Sequence, residues 1–267
     1  MNILDKIVLQ KQKEVELAKA QYTISDLKKS VLYKRPCYSF AESILQNNRL
    51  GIIAEFKRMS PSKGLINIHN NEIKDVAAGY EKAQTSAMSV LTDQQFFGAN
   101  DKDILLARAF TSLPLLRKEF IIDPYQVHEA KALGADAILL IAAILNKKTA
   151  TKLFEEAQLL GLEVLFEIHD VSEIEIIPDD VKIIGINNRD LKYFKVDFER
   201  SMRMFDQLPN DKIKISESGL SDSKTVTELK RKGFDGFLIG ENFMKTNNPG
   251  LSCAQFINEC KALLDDN

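Results

Sequence analysis

The pattern of apolar and polar positions divides the chain into two parts. Up to about residue 47 the apolar positions recur at helical spacing, and nothing in this stretch has the pattern of a strand. The spacing predicts helices over residues 3 to 20, from Ile24 to Leu32 and from Phe40 to Leu45. We therefore predict that residues 1–47 form a helical extension packed on a larger unit.

From residue 50 onward, short apolar runs alternate with amphipathic stretches. The amphipathic stretches are Ile73–Lys82, Tyr125–Leu133, Lys147–Leu160, Ser223–Lys232 and, at the end of the chain, Leu251–Leu264. The apolar runs, each with the length of a buried strand, are Gly51–Phe56, Ala87–Thr92, Leu113–Arg117, Ala137–Ile141, Glu163–Ile168, Lys182–Ile186, Lys212–Ser216 and Gly236–Ile239.

Strict alternation of strands and helices predicts a parallel sheet covered by helices. Eight such units in about 215 residues fit a (β/α)₈ TIM barrel, here residues 48–267, in one domain with the extension. A doubly wound open sheet is the alternative, but no GxGxxG motif follows the first strand.

Composition and charge exclude several classes of function. The net charge of -2 gives no overall basic field, so neither nucleic acid nor a membrane surface is an expected partner. No apolar run approaches the roughly 20 residues that span a bilayer, and the first residues do not resemble a secretory signal. Three cysteines without CxxC spacing are typical of a reducing compartment. We predict a cytoplasmic globular protein, monomeric or weakly homo-oligomeric.

Charged and amide side chains stand at the ends of most of the predicted strands. They are Glu55, Lys57, Lys118, Glu167, Asn187 and Glu217. Because side chains alternate along a strand, Lys118 shares a face with Leu116 and Glu167 with Leu165. If the leucines point into the barrel, so do the charges, one layer nearer the carboxyl ends where barrel active sites lie. The same alternation puts Glu163 inward at the other end, with no evident role.

Small residues after the last two strands indicate an anion site. Ser218 and Gly219 follow the seventh strand, and Gly240 follows the eighth. Phosphate-binding barrels hold their anion at this place, where glycine lets backbone N–H groups approach. The three histidines share no metal-ligand spacing, so we predict no metal site. Walker A and GxSxG motifs do not occur in the sequence.

Four motifs together resemble the indole-3-glycerol phosphate synthase family of tryptophan biosynthesis. They are IAEFKRMSPSKG at Ile53–Gly64, LRKEFIIDPYQ at Leu116–Gln126, IGINNRDL at Ile184–Leu191 and SESG at Ser216–Gly219. The resemblance covers nearly the whole chain. The chain resembles the monofunctional form of the enzyme, which is not fused to another barrel of the pathway. It implies that 1-(2-carboxyphenylamino)-1-deoxyribulose 5-phosphate closes to an indole with loss of carbon dioxide and water, and that no cofactor takes part.

The resemblance also implies roles for individual residues. Lys118 would be the general acid at the ketone oxygen, and Glu167 would remove a proton during dehydration. Lys57 would engage the substrate carboxylate, with a share in the acid–base work as the open alternative. Glu55, Asn187 and Glu217 would orient the lysines and the substrate hydroxyls, with Arg189 near the carboxylate. The implied phosphate positions are Ser60, Ser218, Gly219, Leu238, Gly240 and Glu241. The implied slot for the anthranilate ring is lined by Phe97, Phe120, Leu139, Leu165 and Leu191.

Two residues depart from the family pattern, and two other functions remain as alternatives. Met59 replaces a lysine of some relatives, and Glu241 replaces serine or threonine, so its side chain is expected to turn away from the phosphate. A phosphoribosylanthranilate isomerase would need a cysteine at the end of the first strand, where this chain has Glu55 and Lys57. The other alternative is an inactive barrel that only binds a sugar phosphate or a partner chain. Residues 59–69 are predicted to form a lid.

Overall fold

The computed structural model describes residues 3–189 and 196–266, and within them the predicted barrel is confirmed. Eight parallel strands form one closed sheet in chain order, and β8 pairs back onto β1, with Leu238 opposite Ile53. The strands are β1 (Ile52–Phe56), β2 (Ala87–Leu91), β3 (Leu115–Lys118), β4 (Ala137–Ile141), β5 (Glu163–Ile168), β6 (Ile183–Asn187), β7 (Ile213–Glu217) and β8 (Gly236–Ile239). The predicted strands agree within one or two residues at each end.

Helices cover the outside of the barrel. The longer ones are Ile73–Lys82, Asp103–Phe110, Pro124–Ala132, Lys147–Leu159, Phe198–Phe205, Ser223–Lys232 and Pro249–Asp265. Between β5 and β6 the chain forms a 3₁₀ helix, Val171–Ile176, and shorter turns of helix occur at Gln94–Phe97, Ala142–Ile144 and Glu241–Met244. None of the described helices is both long and apolar enough to cross a bilayer.

Alternation along the strands produces two separate apolar clusters. Outward side chains such as Ile52 and Phe166 pack under the helices. Inward side chains, among them Leu116, Leu165 and Ile215, fill the barrel interior. The interior is therefore packed, and the strand residues that follow these three by two positions point into the carboxyl-end mouth.

The N-terminal extension closes the opposite end of the barrel. Its last helix, Phe40–Ile44, places Phe40 and Ile44 in the interior cluster. Glu163, at the first position of β5, accepts hydrogen bonds from the Ser39 hydroxyl (2.9 Å) and the Ala41 N–H (2.7 Å). A carboxylate is stabilising at a helix N-terminus. Glu163, whose role was not evident from the sequence, therefore holds this helix in place.

The first helix of the extension, Ile3–Gln21, instead lies against the loops at the carboxyl ends of β2 and β3. Lys19 pairs with Asp123 at 2.7 Å, and the Tyr125 hydroxyl bonds to the carbonyls of Ala18 and Tyr22. Ile3, Leu4 and Ile7 place the beginning of this helix at the carboxyl ends of the strands. Two shorter pieces, the α-helix Ile24–Leu27 and the 3₁₀ helix Val31–Lys34, complete the extension.

Candidate active site

A cavity of about 420 Å³ opens at the carboxyl-end mouth of the barrel. Its walls contain most of the residues predicted at the strand ends. Those in the wall are Glu55, Lys57, Ser60, Phe97, Lys118, Phe120, Leu139, Glu167, Asn187, Arg189, Ser218, Gly219, Leu238, Gly240 and Glu241. Residues from all eight strands or the loops after them thus meet in one space, as alternation along the strands predicts.

Lys118 is the centre of the charge arrangement. Its Nζ lies 2.5 Å from Oε2 of Glu217 and 3.2 Å from Oε2 of Glu167. Burial lowers the pKa of this lysine, but the nearby carboxylates outweigh burial and hold the pKa well above its usual range. Lys118 therefore carries its proton at neutral pH.

The two carboxylates that contact Lys118 have opposite pKa shifts. Burial and the charge of Glu167 together outweigh the attraction of Lys118 and raise the pKa of Glu217 to about 7. For Glu167, burial acts upward, but Lys118 and His169 hold the pKa well below its usual range. At neutral pH Glu167 is therefore ionised, and Glu217 is the group that titrates.

Glu217 itself does not line the cavity, because it is fully buried behind Lys118. The space for its carboxylate comes from Gly185 on the neighbouring strand β6. A Cβ at this glycine would lie 2.0 Å from Oε1 of Glu217. The sequence indicates a glycine within the sixth strand but not that a carboxylate fills the space beside it.

A second ion pair stands at the end of β1. Lys57 Nζ lies 2.7 Å from Oε1 of Glu55, so the two charges two residues apart do share a face. Lys57 also lines the cavity, on the side of the loop that follows β1. Lys57 and Lys118 are thus each held by at least one carboxylate.

The loops after β7 and β8 form a small-residue wall. Ser218 and Gly219 both have positive φ angles (71° and 76°), which places consecutive residues in the left-handed region. Gly240 precedes the short helix Glu241–Met244 and packs against Glu55, where a Cβ would lie 2.6 Å from Oε1. Close approach of backbone to a ligand is what an anion site in a barrel of this kind needs.

Polar groups of the β1 loop face this wall. Two short antiparallel strands, Met59–Ser60 and Gly64–Leu65, form a hairpin in that loop. Arg189 donates a hydrogen bond to the Ser62 hydroxyl at 3.1 Å. The Glu241 carboxylate lies 3.8 Å from Lys63 and 3.9 Å from Arg189, so it faces two cations of the mouth.

The opposite wall is apolar. The rings of Phe97 and Phe120 lie 6.1 Å apart between centroids, and Leu139 lines the same side. Leu165 does not line the cavity, which corrects its predicted place in the ring slot. It precedes Glu167 by two residues on the same face of β5 and is fully buried in the layer beneath. Leu191 lies outside the described residues.

Sequence reasoning missed the contribution of the first helix to the cavity. Ile3, Leu4 and Ile7 line its rim. The apolar stripe of this helix predicts that it packs on something, but helical periodicity contains no information about which end of the barrel it covers.

No group of three or more potential metal ligands occurs within residues 3–189 and 196–266. His128 bonds to Tyr33 and lies 3.0 Å from Glu156 on the outside of the barrel.

These features define a class of protein: a (β/α)₈-barrel enzyme with a buried acid–base cluster and a small-residue anion wall. A sequence profile of the indole-3-glycerol phosphate synthase family matches residues 4–256. The chain belongs to this family, and it is an enzyme of that type, a carboxy-lyase of tryptophan biosynthesis.

Individual relatives agree with this assignment over nearly their whole lengths. The chain is 45% identical to the indole-3-glycerol phosphate synthase of Bacteroides thetaiotaomicron over 96% of this chain and 98% of the relative. It is 43% identical to indole-3-glycerol phosphate synthase 2 of Ralstonia nicotianae over 93% and 94%. The enzyme of Acetivibrio thermocellus is 39% identical over 98% of this chain and 100% of the relative.

Proposed function

We propose that this cavity converts 1-(2-carboxyphenylamino)-1-deoxyribulose 5-phosphate to indole-3-glycerol phosphate. The observation that carries the proposal is Lys118, a protonated lysine between two carboxylates, at the base of a cavity with one apolar wall and one anion-type wall. A molecule with an aromatic ring at one end and a phosphate at the other matches both walls. Its reacting ketone then lies between them.

The phosphate is assigned to the wall formed by Ser218, Gly219 and Gly240, with Ser60, Leu238 and Glu241 around it. The backbone N–H groups of these residues donate to the phosphate. The Glu241 side chain does not, because its carboxylate carries negative charge. Lys63 and Arg189 offset that charge at 3.8 and 3.9 Å. The ring is assigned to Phe97, Phe120 and Leu139, and the substrate carboxylate to Lys57 and Arg189.

Ring closure uses Lys118 as the acid. The ring carbon that bears the carboxylate bonds to the ketone carbon, the carbonyl electron pair moves to oxygen, and Lys118 supplies its proton there. Departure of carbon dioxide returns an electron pair to the ring. These bond changes cause no net oxidation or reduction of the substrate. The reaction therefore needs neither an oxidant nor a hydride donor.

Dehydration then completes the indole. Glu167 accepts the proton removed from the CH₂ carbon beside the nitrogen. The bond to the former ketone oxygen breaks, and this hydroxyl leaves as water with a proton from Lys118, which has been reprotonated from solvent. Glu167 is ionised in the free enzyme and is therefore ready to accept a proton. Asn187 lines the cavity beside it and is assigned to the substrate hydroxyls, while Glu55 and Glu217 orient Lys57 and Lys118.

The direct test is an activity assay. Purified protein supplied with the anilino-ribulose phosphate is expected to produce the absorbance and fluorescence of an indole, in proportion to enzyme. The same substrate kept without enzyme is the control. A folded protein that binds the substrate but forms no indole would contradict the proposal and favour the sugar-phosphate-binding barrel instead.

The pH dependence of the reaction provides a second prediction. Glu217 must be ionised to hold Lys118 as its counter-ion, and its pKa is raised to about 7. We therefore expect kcat/KM, which reports groups of the free enzyme, to fall as the pH drops through about 7. Glu217→Gln is expected to lower activity and to remove this acidic limb.

The substrate phosphate is the competing explanation for an acidic limb, since its second pKa is about 6. An effect of the phosphate would remain in the Glu217→Gln variant, whereas an effect of Glu217 would not. An unchanged limb in that variant would exclude Glu217 as the titrating group.

A further inference from the structure

His169 lies at the carboxyl end of β5 and has no part in the steps above. Its side chain is only 10% exposed. Nε2 is 3.3 Å from Oε1 of Glu167, and Nδ1 is 3.7 Å from Oε2 of Glu173. Within the described residues neither ring nitrogen has a well-directed hydrogen bond. The imidazole is thus a buried ring between two carboxylates, coupled to them by charge.

Glu173 is fixed in place on the outer side of this ring. It belongs to the 3₁₀ helix Val171–Ile176, and its Oε2 accepts a hydrogen bond from the backbone N–H of His169 at 2.6 Å. Asp170 caps the same 3₁₀ helix through the Ser172 N–H, and Arg200 acts electrostatically on Asp170. The charged groups that face His169 among the described residues are therefore Glu167 from β5 and Glu173 from the turn after it.

Glu167 consequently has two cationic neighbours on different oxygens. Lys118 lies against Oε2, while His169 lies against Oε1. When Lys118 turns to the ketone oxygen of a bound substrate, Oε2 loses its partner and becomes free to accept a proton. Oε1 would still be held, so the carboxylate would keep its orientation towards the cavity.

We propose that His169 is a positioning residue for Glu167, acting as an imidazolium that holds Oε1 while Lys118 moves to the substrate. The inference rests on the proposed role of Glu167. It requires that His169 be charged during turnover and that Glu173 support that charge from behind.

The electrostatics agree with this geometry. Burial lowers the pKa of His169, but the carboxylates of Glu167 and Glu173 outweigh burial and raise the pKa to about 9. The imidazolium is therefore present below about pH 9 and lost above it. Lys118 has a pKa held well above its usual range, so an alkaline limb near pH 9 would not come from Lys118.

The experiment compares pH profiles of kcat/KM for wild type, His169→Asn, Glu173→Gln and Glu167→Gln, with circular dichroism of each to establish folding. The wild type is expected to lose activity with a midpoint near pH 9. His169→Asn is expected to have lower activity and no alkaline limb. Glu173→Gln keeps an acceptor for the backbone N–H of His169 but removes the outer charge, so its limb is expected to move to lower pH.

A merely structural histidine would lower activity without moving the limb in Glu173→Gln. An alkaline limb that stays in His169→Asn, or one that does not move in Glu173→Gln, overturns the inference. If His169→Asn does not fold, the shift in Glu173→Gln decides alone. Wild-type activity in Glu167→Gln would instead overturn the proposed role of Glu167. If Glu167→Gln is inactive but the alkaline limb is unchanged in His169→Asn and Glu173→Gln, only the role of His169 is rejected.

Discussion

Replacing Lys118 by alanine is expected to lower kcat by about 10²–10⁴-fold, the usual contribution of a positioned acid or base. The variant lacks the proton donor at the ketone oxygen, and no other lysine takes its position. Lys57 directly follows β1, whereas Lys118 ends β3, and Lys57 is held by Glu55 at 2.7 Å. KM is expected to change less than kcat, since Lys118 acts on the oxygen whose charge develops during ring closure.

The barrel of Lys118→Ala is expected to remain folded. Without the lysine, Glu167 and Glu217 are left close together in the interior, and Glu217, whose pKa is already raised to about 7, can take up a proton. Circular dichroism and thermal unfolding of the variant test this directly. The loss of turnover then belongs to chemistry and not to unfolding.

Lys214→Ala is the matched control for Lys118→Ala. Lys214 is also a buried strand lysine, on β7, but its Nζ lies 4.0 Å from the centroid of Phe205 on the helix-covered side of the barrel. Lys214→Ala removes a buried lysine but keeps Lys118, the proposed acid. Its kcat per folded protein is therefore expected to stay near that of the wild type. Wild-type-like turnover in Lys118→Ala would remove Lys118 from the mechanism.

The residues at the strand ends were predictable from the sequence because side-chain alternation and barrel topology lead to the same place. Alternation places Lys118 and Glu167 on the same side as the apolar residues two positions earlier, and closure of eight parallel strands brings all carboxyl ends to one mouth. The same rule indicates which residues belong to the layer beneath. Applied to Leu165, whose side chain precedes Glu167 by two positions, it contradicts the assignment to the ring slot that the family resemblance suggested.

The pKa shifts were not predictable in the same way. Burial and neighbouring carboxylates act on Lys118 in opposite directions, and their balance depends on distances of a few ångströms. The position of the first helix was equally hidden. Its apolar stripe fits either end of the barrel, and only Lys11, a charge on the buried side of an amphipathic helix, marks where it docks.

Lys11 is the basis of the second large prediction. Its side chain is 4% exposed and Nζ lies 2.8 Å from Asp93 and 3.0 Å from Glu119, in the loops after β2 and β3. Burial lowers the pKa of Lys11, but these two carboxylates outweigh burial and hold it above the usual range. Lys11→Met removes the cation that contacts both buried carboxylates and is expected to cost about 3–5 kcal/mol of folding stability.

The loss is expected to extend to the ring slot. Asp93 accepts a hydrogen bond from the Phe96 N–H at the start of the helix that carries Phe97, and Glu119 accepts one from the Phe120 N–H. Both aromatic residues depend on loops that Lys11 ties to the first helix. The KM of Lys11→Met is therefore expected to rise more than kcat falls.

Lys19→Met separates this effect from a general weakening of the helix. Lys19 lies on the same helix and pairs with Asp123 at 2.7 Å, but its side chain is 39% exposed. Solvent screens such a pair, so denaturant unfolding and KM are expected to change little. Equal losses in the two variants would show that the helix docks through its apolar stripe alone. A larger loss in Lys11→Met, together with proteolytic release of the first helix, would assign the docking to the buried charge cluster.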